Sequence, residues 1–339
     1  MAKQKRGKRS LCFDAPPVLT AWASVAGKKE SEGPLQGYFD YTNADTYFGE
    51  KTWEKAECHM QEIAMETLLQ KAGKQTRDVD LVFSGDLLNQ CISSSFALRN
   101  TGLPSLGLYG ACSTMAESLL LASMAVSGGF ADRAVAMTSS HFASSERQYR
   151  YPLGYGGQRT PTAQWTVTGS GAALVSGQGE GPRVEAATVG TIVDLGVTDA
   201  NNMGAAMAPS AFETIRAHFD DLGAAPEDFD LIVTGDLGKV GKEILLDQFH
   251  QIGVRLEDRY TDCGVLVFDL EGQDVHAGGS GCGCSAIVLC GYLLKQLSQG
   301  KLHRILFCGT GALLSPTSSQ QGESIPGVCH AVSISTEGK

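Results

Sequence analysis

The chain repeats one pattern of apolar and polar positions about 150 residues apart, a spacing near half its length that marks two similar modules and not a solenoid. Asp78-Val79-Asp80-Leu81-Val82-Phe83-Ser84-Gly85-Asp86-Leu87 returns as Asp228-Phe229-Asp230-Leu231-Ile232-Val233-Thr234-Gly235-Asp236-Leu237. Each copy follows an amphipathic helical stretch, residues 60–72 in one and 211–222 in the other. Each precedes a turn of small residues that opens an apolar helix: Gly110-Ala111-Cys112-Ser113 in the first copy, Gly281-Cys282-Gly283-Cys284-Ser285 in the second. A further strand follows each helix, Arg133-Ala134-Val135-Ala136-Met137 and Arg304-Ile305-Leu306-Phe307-Cys308. Strand, helix and strand, twice over, predict two α/β halves related by a pseudo-twofold axis. A site is expected between them.

Composition narrows the class. With 339 residues, 42% of them hydrophobic, the chain can bury two core layers or two domains. The formal charge of −10 is uneven, because Lys3, Lys5, Arg6, Lys8 and Arg9 crowd the start. We divide the chain into a basic arm (1–10), a first half (11–180) and a second half (181–339). Without the arm the balance is roughly −15, which argues against a nucleic-acid role for the body. No apolar signal core follows the arm, since residues 12–25 include Asp14, Pro16 and Pro17, and no export is expected. The longest uncharged run, 275–294, is half Gly, Ser and Cys, and its strongly apolar part, 286–294, is too short to span a bilayer. Ten cysteines in this context read as free thiols.

Three stretches could carry chemistry. Cys112 begins a helix, 113–126, that is apolar nearly all round and so reads as buried and central. At such a helix start the dipole and the unpaired amides favour a thiolate, which suits an acyl-accepting nucleophile. The same amides could instead bind an anion, with the small cysteine leaving room for it. The second stretch, Gly278-Gly279-Ser280-Gly281-Cys282-Gly283-Cys284-Ser285, allows close approach of backbone to a ligand or of one helix to another. Cys282 and Cys284 lack the second cysteine pair or histidine pair of a zinc site, so no metal is expected.

The third stretch, 141–166, gathers His141, Arg147, Tyr149, Arg150, Tyr151, Tyr155, Arg159 and Trp165 without core-like periodicity. It reads as a binding loop for a flat anion, or equally as a subunit interface. Glu146 beside Arg147 suggests a solvated surface at that point.

Taken with Thr168-Gly169-Ser170-Gly171-Ala172-Ala173 and Cys308-Gly309-Thr310-Gly311-Ala312, these motifs resemble the thiolase and ketoacyl-synthase superfamily. The strings VAGKKESEGPLQGYFD, GLYGACSTMAESLLLAS, RYPLGYGGQRTPTAQWTVTGSGAAL and GGSGCGCSA, in that order, resemble more narrowly the stage V sporulation protein AD family of endospore-forming bacteria. The resemblance implies a thiolase-like α/β fold, two halves in a five-layer α-β-α-β-α sandwich, usually a homodimer. It also implies binding of dipicolinic acid (pyridine-2,6-dicarboxylate), free or as its calcium chelate, and service in its movement into the developing spore. The place of action it implies is the periphery of the spore inner membrane, beside integral membrane partners of the same operon. No cofactor is expected. The ligand-binding residues expected are Cys112, His141, Arg150, Arg159, Ser280, Cys282, Cys308 and Gly309.

Departures from the superfamily pattern separate binding from catalysis. Thiolases carry a histidine in a Gly-His-Pro-x-Gly turn before the second central helix, and here that turn reads Gly279-Ser280-Gly281-Cys282-Gly283. Ser280 cannot serve as a base near neutral pH. The donor expected after the second-half strand is likewise replaced, by Asp236, whose negative charge opposes an oxyanion. Cys112 and Cys308 match the two thiolase cysteines, so the thiol frame survives without its polar partners. The resulting expectation is a non-catalytic binding protein. The alternative, an acyltransferase or condensing enzyme using Cys112, requires His141 or His276 within hydrogen-bond reach of that thiol.

Overall fold

The computed structural model describes residues 4–149 and 158–336. In the first half five strands, β1 (Val18–Ala26), β2 (Leu81–Gly85), β3 (Ser105–Leu108), β4 (Arg133–Ser140) and β5 (Gly169–Ser176), lie in the order β1-β5-β4-β2-β3. The second half repeats the arrangement with β6 (Arg183–Thr188), β7 (Leu231–Thr234), β8 (Tyr260–Asp262), β9 (Arg304–Ala312) and β10 (Gly327–Ser335), in the order β6-β10-β9-β7-β8. β2 runs parallel to β3 and β4, as β7 does to β8 and β9, and the remaining neighbours are antiparallel. Even the irregularities correspond: β1 shifts register between Leu19 and Ala21, and β6 between Val184 and Ala186. The two ladders touch edge to edge through the pair Arg183 and Val18.

Helices complete five layers. The outer helices are α1 (Trp53–Ala72), on β1 and β5, and α4 (Met203–Leu222), on β9 and β10. Both are capped in the same way, by Thr52 and Asn202 at their starts and by Gly73 (φ 60°) and Gly223 (φ 65°) at their ends. Between the sheets lies α2 (Thr114–Ser127), packed on β2 and β4 on one side and on β9 and β10 on the other. Its companion, α5, runs through Cys282–Ile287, a π turn at Val288–Leu293, and Leu294–Ser298. A helix sandwiched by two sheets must be apolar all round, and Met115, Leu119 and Leu289 are all buried there. β5 is covered on both faces, so its run of small residues is buried throughout, and a Cβ on Gly171 would stand 2.5 Å from the carbonyl oxygen of Ala286.

Three elements differ from the sequence reading. α1 and α4 begin earlier than residues 60 and 211, because their first turns bury polar or small residues that carry no apolar period, Glu57 and Gly204 among them. α5 begins at Cys282, inside the small-residue turn expected to precede it, so both cysteines of the Cys-x-Cys turn lie in its first turn. The stretch 141–166 is not all loop: α3 (Phe142–Tyr149) opens it, and Trp165–Thr166 near its end pairs in parallel with Gly279–Ser280. The basic arm is tied down from its fifth residue, with Lys5–Arg6 and Ser10–Cys12 paired and Ser10–Cys12 added to β6.

A candidate binding site at Cys112

The starts of the two central helices converge on a cavity of about 330 Å³. Its floor holds Cys112 and Ser280, one from each half, and α3 contributes Ser145, Glu146 and Tyr149. Tyr109 and Asn89 stand on one wall, while Met203 and the chain beyond β9, from Ala312 to Ser318, close the other. Ala111, immediately before the thiol, takes a left-handed φ of 52°, a conformation that costs a non-glycine residue about 1–2 kcal/mol. Strain of this kind is kept where it positions a neighbouring functional group.

A helix start favours a thiolate, but the surroundings of Cys112 reverse that preference. Burial pushes the thiol well above its ordinary range, and the negative charge of Asp236 pushes it further. Cys112 donates a hydrogen bond to Asp236, which also accepts from the Gly281 amide at 2.9 Å, Ser280 Oγ at 3.3 Å and Thr310 Oγ1 at 2.8 Å. Burial raises the carboxyl of Asp236, while these donors pull it back. The thiol is therefore protonated and held, the opposite of an activated nucleophile.

Cys112 and Ser280 are the predicted residues that share the cavity. Cys282 lies directly behind them, fully buried, with its thiol donating to the Ser139 carbonyl at 2.9 Å. Gly309 faces α2, where a Cβ would stand 2.6 Å from that of Ala116, so glycine there permits a close approach of strand to helix. Cys308 points to the opposite face of β9 and packs into the second-half core beside Cys329. His141 is spent on structure: its Nε2 donates to the Thr46 carbonyl at 2.8 Å and its Nδ1 accepts from the Ala143 amide at 3.2 Å. Burial lowers its pKa, consistent with the neutral ring these bonds require. Arg159 pairs with Asp274 at 2.8 Å and lies 4.9 Å from the centre of the Trp165 ring. Arg150 lies outside the described residues.

His276 does not substitute for the missing histidine, since its ring nitrogens meet the Thr160 carbonyl at 2.6 Å and Asp274 at 3.1 Å. Neither histidine named as a condition for catalysis reaches Cys112. Glu146, read as part of a solvated surface, is instead 8% exposed and accepts from Thr166 Oγ1 at 2.7 Å in the cavity wall. Arg147 does point outward, pairing with Glu54 over the Trp53 ring. Sequence reasoning passed over Tyr109, whose hydroxyl meets those of Tyr149 at 2.8 Å and the Asn89 side chain at 3.2 Å. Among the described residues, the cavity lining contains no Lys, Arg or His, and no group of His, Cys, Asp and Glu could hold a metal. No described helix is long and apolar enough to cross a membrane.

The architecture is that of the thiolase-like condensing enzymes. 3-Oxoacyl-[acyl-carrier-protein] synthase III from Aquifex aeolicus superposes with a TM-score of 0.58 at 13% identity, covering 94% of this chain and 99% of the enzyme. OleA from Xanthomonas campestris gives 0.58 at 15%, covering 96% and 97%. The sequence itself is far closer to a sporulation protein: it is 46% identical over 326 residues to stage V sporulation protein AD of Bacillus subtilis (strain 168), 96% of each chain. Residues 7–335 match the family described as stage V sporulation protein AD, and the chain belongs to that family.

Proposed function

We propose that this sporulation protein binds dipicolinic acid in the cavity at Cys112 and performs no chemistry on it. The observation that carries this reading is the carboxyl of Asp236 hydrogen-bonded to the thiol, where a condensing enzyme needs a base or an oxyanion donor. The cavity falls within the range of about 300–1,000 Å³ usual for small ligands. Its hydroxyl and amide groups, from Tyr109, Tyr149, Asn89 and Ser280, suit a flat ring bearing carboxylates. Arg159 is committed to Asp274, so Arg150, next in sequence after Tyr149, is the residue we assign to a carboxylate. Each charge-assisted contact of that kind is worth about 1.5–3 kcal/mol.

By the same reading the ligand is handed on during its uptake into the developing spore, at the inner membrane and with integral membrane partners. The chain acts as a homodimer. Support for a dimer comes from β3, an edge strand whose Leu106 is 52% exposed and which is followed by the exposed Tyr109, an edge suited to pairing with a second copy. The rival reading, a Cys112-dependent acyltransferase, draws on fold likeness and on a thiol frame without its polar partners.

Calorimetric titration of the full chain tests the proposal. Dipicolinate should bind saturably and more tightly than pyridine-2-carboxylate. Cys112→Ser should retain that binding, and Cys112→Leu, which fills the floor of the cavity, should abolish it. An acyl group on Cys112 in a mass spectrum after incubation with acetyl-CoA or malonyl-CoA would overturn the non-catalytic assignment.

A further inference from the structure

A second cavity, of about 350 Å³, lies at the far side of the second half, between the end of α4, the face of β6 and the N-terminal arm. Three of its lining residues carry buried polar atoms that complete no hydrogen bond among the described residues: His218 Nε2, Glu185 Oε2 and Arg304 Nε. The last two stand 3.0 Å apart as an ion pair without hydrogen-bond alignment. Unpartnered buried polar groups are rare in folded proteins, and His218 Nε2, which has neither a hydrogen bond nor an ion pair among the described residues, calls for an occupant.

The hydrogen-bond chain behind His218 fixes what that occupant must offer. Asp221 accepts from the amides of Lys8 at 3.2 Å and Arg9 at 3.1 Å and from Ser10 Oγ at 3.0 Å. Burial raises its carboxyl, but these donors outweigh burial and hold it below the ordinary range, so it is a carboxylate that only accepts. The single hydroxyl proton of Ser10 is therefore committed to Asp221. Thr188 must then donate its own proton to Ser10, 2.8 Å away, which leaves Thr188 Oγ1 to accept from His218 Nδ1, also at 2.8 Å. The ring carries its proton on Nδ1 and presents a bare lone pair at Nε2. His218 is fully buried, and burial with the nearby Arg304 lowers its pKa to about 3, so the lone pair persists at neutral pH.

Charge sets the rest. The lining carries three carboxylates, Glu185, Asp221 and Asp228, against two guanidinium groups, Arg6 and Arg304. One negative charge is left over, and the C-terminal end of α4 beside it adds the negative pole of the helix dipole. We propose that this cavity binds a small molecule bearing a primary ammonium group, which donates to His218 Nε2 and Glu185 Oε2. The site is separate from the cavity at Cys112 and does not depend on what that cavity binds.

The test uses the full chain with ¹⁵N-labelled histidine and reads the His218 ring nitrogens by NMR. n-Butylamine should shift Nε2 saturably, and 1-butanol, of the same length and uncharged, should bind at least tenfold more weakly. Glu185→Gln should weaken the amine at least tenfold. Absence of a saturable shift with the amine would mean that water alone fills the cavity, and equal affinities for amine and alcohol would remove the charge argument. Either result overturns the proposal. Nα-acetyl-lysine methylamide binding as tightly as butylamine would assign the cavity to a lysine of a protein partner and overturn the small-molecule assignment.

Discussion

The thiol of Cys112 and the carboxyl of Asp236 come from opposite halves of the chain and meet in one hydrogen bond between the two sheets. In a condensing enzyme that junction is where acyl chemistry takes place. Here the thiol is held protonated against the carboxyl, which is tied in turn to the turn that begins α5 through the Gly281 amide.

Replacing Asp236 by Asn removes the neighbouring charge but leaves the thiol buried. The Cys112 pKa should fall, because the close carboxylate that disfavours the thiolate is gone, and the thiolate fraction should rise. Alkylation by iodoacetamide near pH 8, followed on the Cys112 peptide by mass spectrometry, should accelerate correspondingly. An unchanged rate would show that burial alone suppresses the thiol.

Glu30 gives a pH signature. It is 1% exposed, accepts from the Thr168 amide at 2.9 Å through one oxygen, and has no partner for the other among the described residues. Burial raises its pKa from 4.5 to about 7. Between these values the folded chain holds a proton that the unfolded chain has released, so the Glu30 contribution to stability declines as pH rises from about 4.5 to 7 and stays low above that. Glu30→Gln lacks this decline. The stability of the variant relative to the native chain, from urea unfolding, should improve by about 3 kcal/mol between pH 4.5 and pH 8. Other titrating groups affect both proteins alike and cancel in the difference, and a constant difference would contradict the burial cause.

Leu106 tests the edge of the first sheet. If β3 pairs with a second copy, Leu106→Asp places two charges in the joint and should convert the dimer to monomer, as read by light scattering, while the melting temperature of the monomer stays close to that of the native chain. Identical masses for both proteins would remove β3 from the interface.

Deleting residues 2–9 takes two amide donors from Asp221 and the Arg9 guanidinium from the Glu213 carbonyl. Losing such bonds to a charged group costs on the order of 2–4 kcal/mol. The truncated chain should unfold a few degrees lower in a thermal melt, about 1–2 °C for each kcal/mol in a chain of this length, and titrate with dipicolinate as before. An unchanged melt would show that the arm contributes nothing to the body.

The double architecture was legible because its repeated strands, β2 and β7, and its central helices are buried, and burial writes itself as apolar runs preceded by the recurring Asp-x-Asp. What could not be read were elements whose buried residues are polar or small: the first turns of α1 rest on Glu57, which accepts from Ser139 at 3.0 Å and Ser144 at 2.6 Å, and those of α4 contain Gly204 and Pro209. The site divided along the same line. Cys112 and Ser280 were found because small-residue turns announce helix starts. The resemblance implies both Cys308 and Gly309 from one motif, although a strand sends successive residues to opposite faces, and only Gly309 turns toward α2. Tyr109 and Glu146 enter the cavity from a strand end and a helix that only tertiary packing brings there.

The pairing of Ser10–Cys12 with β6 has a consequence for how the chain is made. Ser10 and Thr188 are 178 residues apart, so the opening segment leaves the ribosome with its partner strand still unsynthesised. At about 5–20 residues per second, roughly 10–35 s separate the two. During that interval the first sheet can assemble, but α2 has one side bare, since β9 and β10 have yet to emerge. The nascent first half is thus an open-faced intermediate whose apolar central helix needs shielding until β9 and β10 emerge, and this protein should depend on chaperone capacity at the moment of its synthesis.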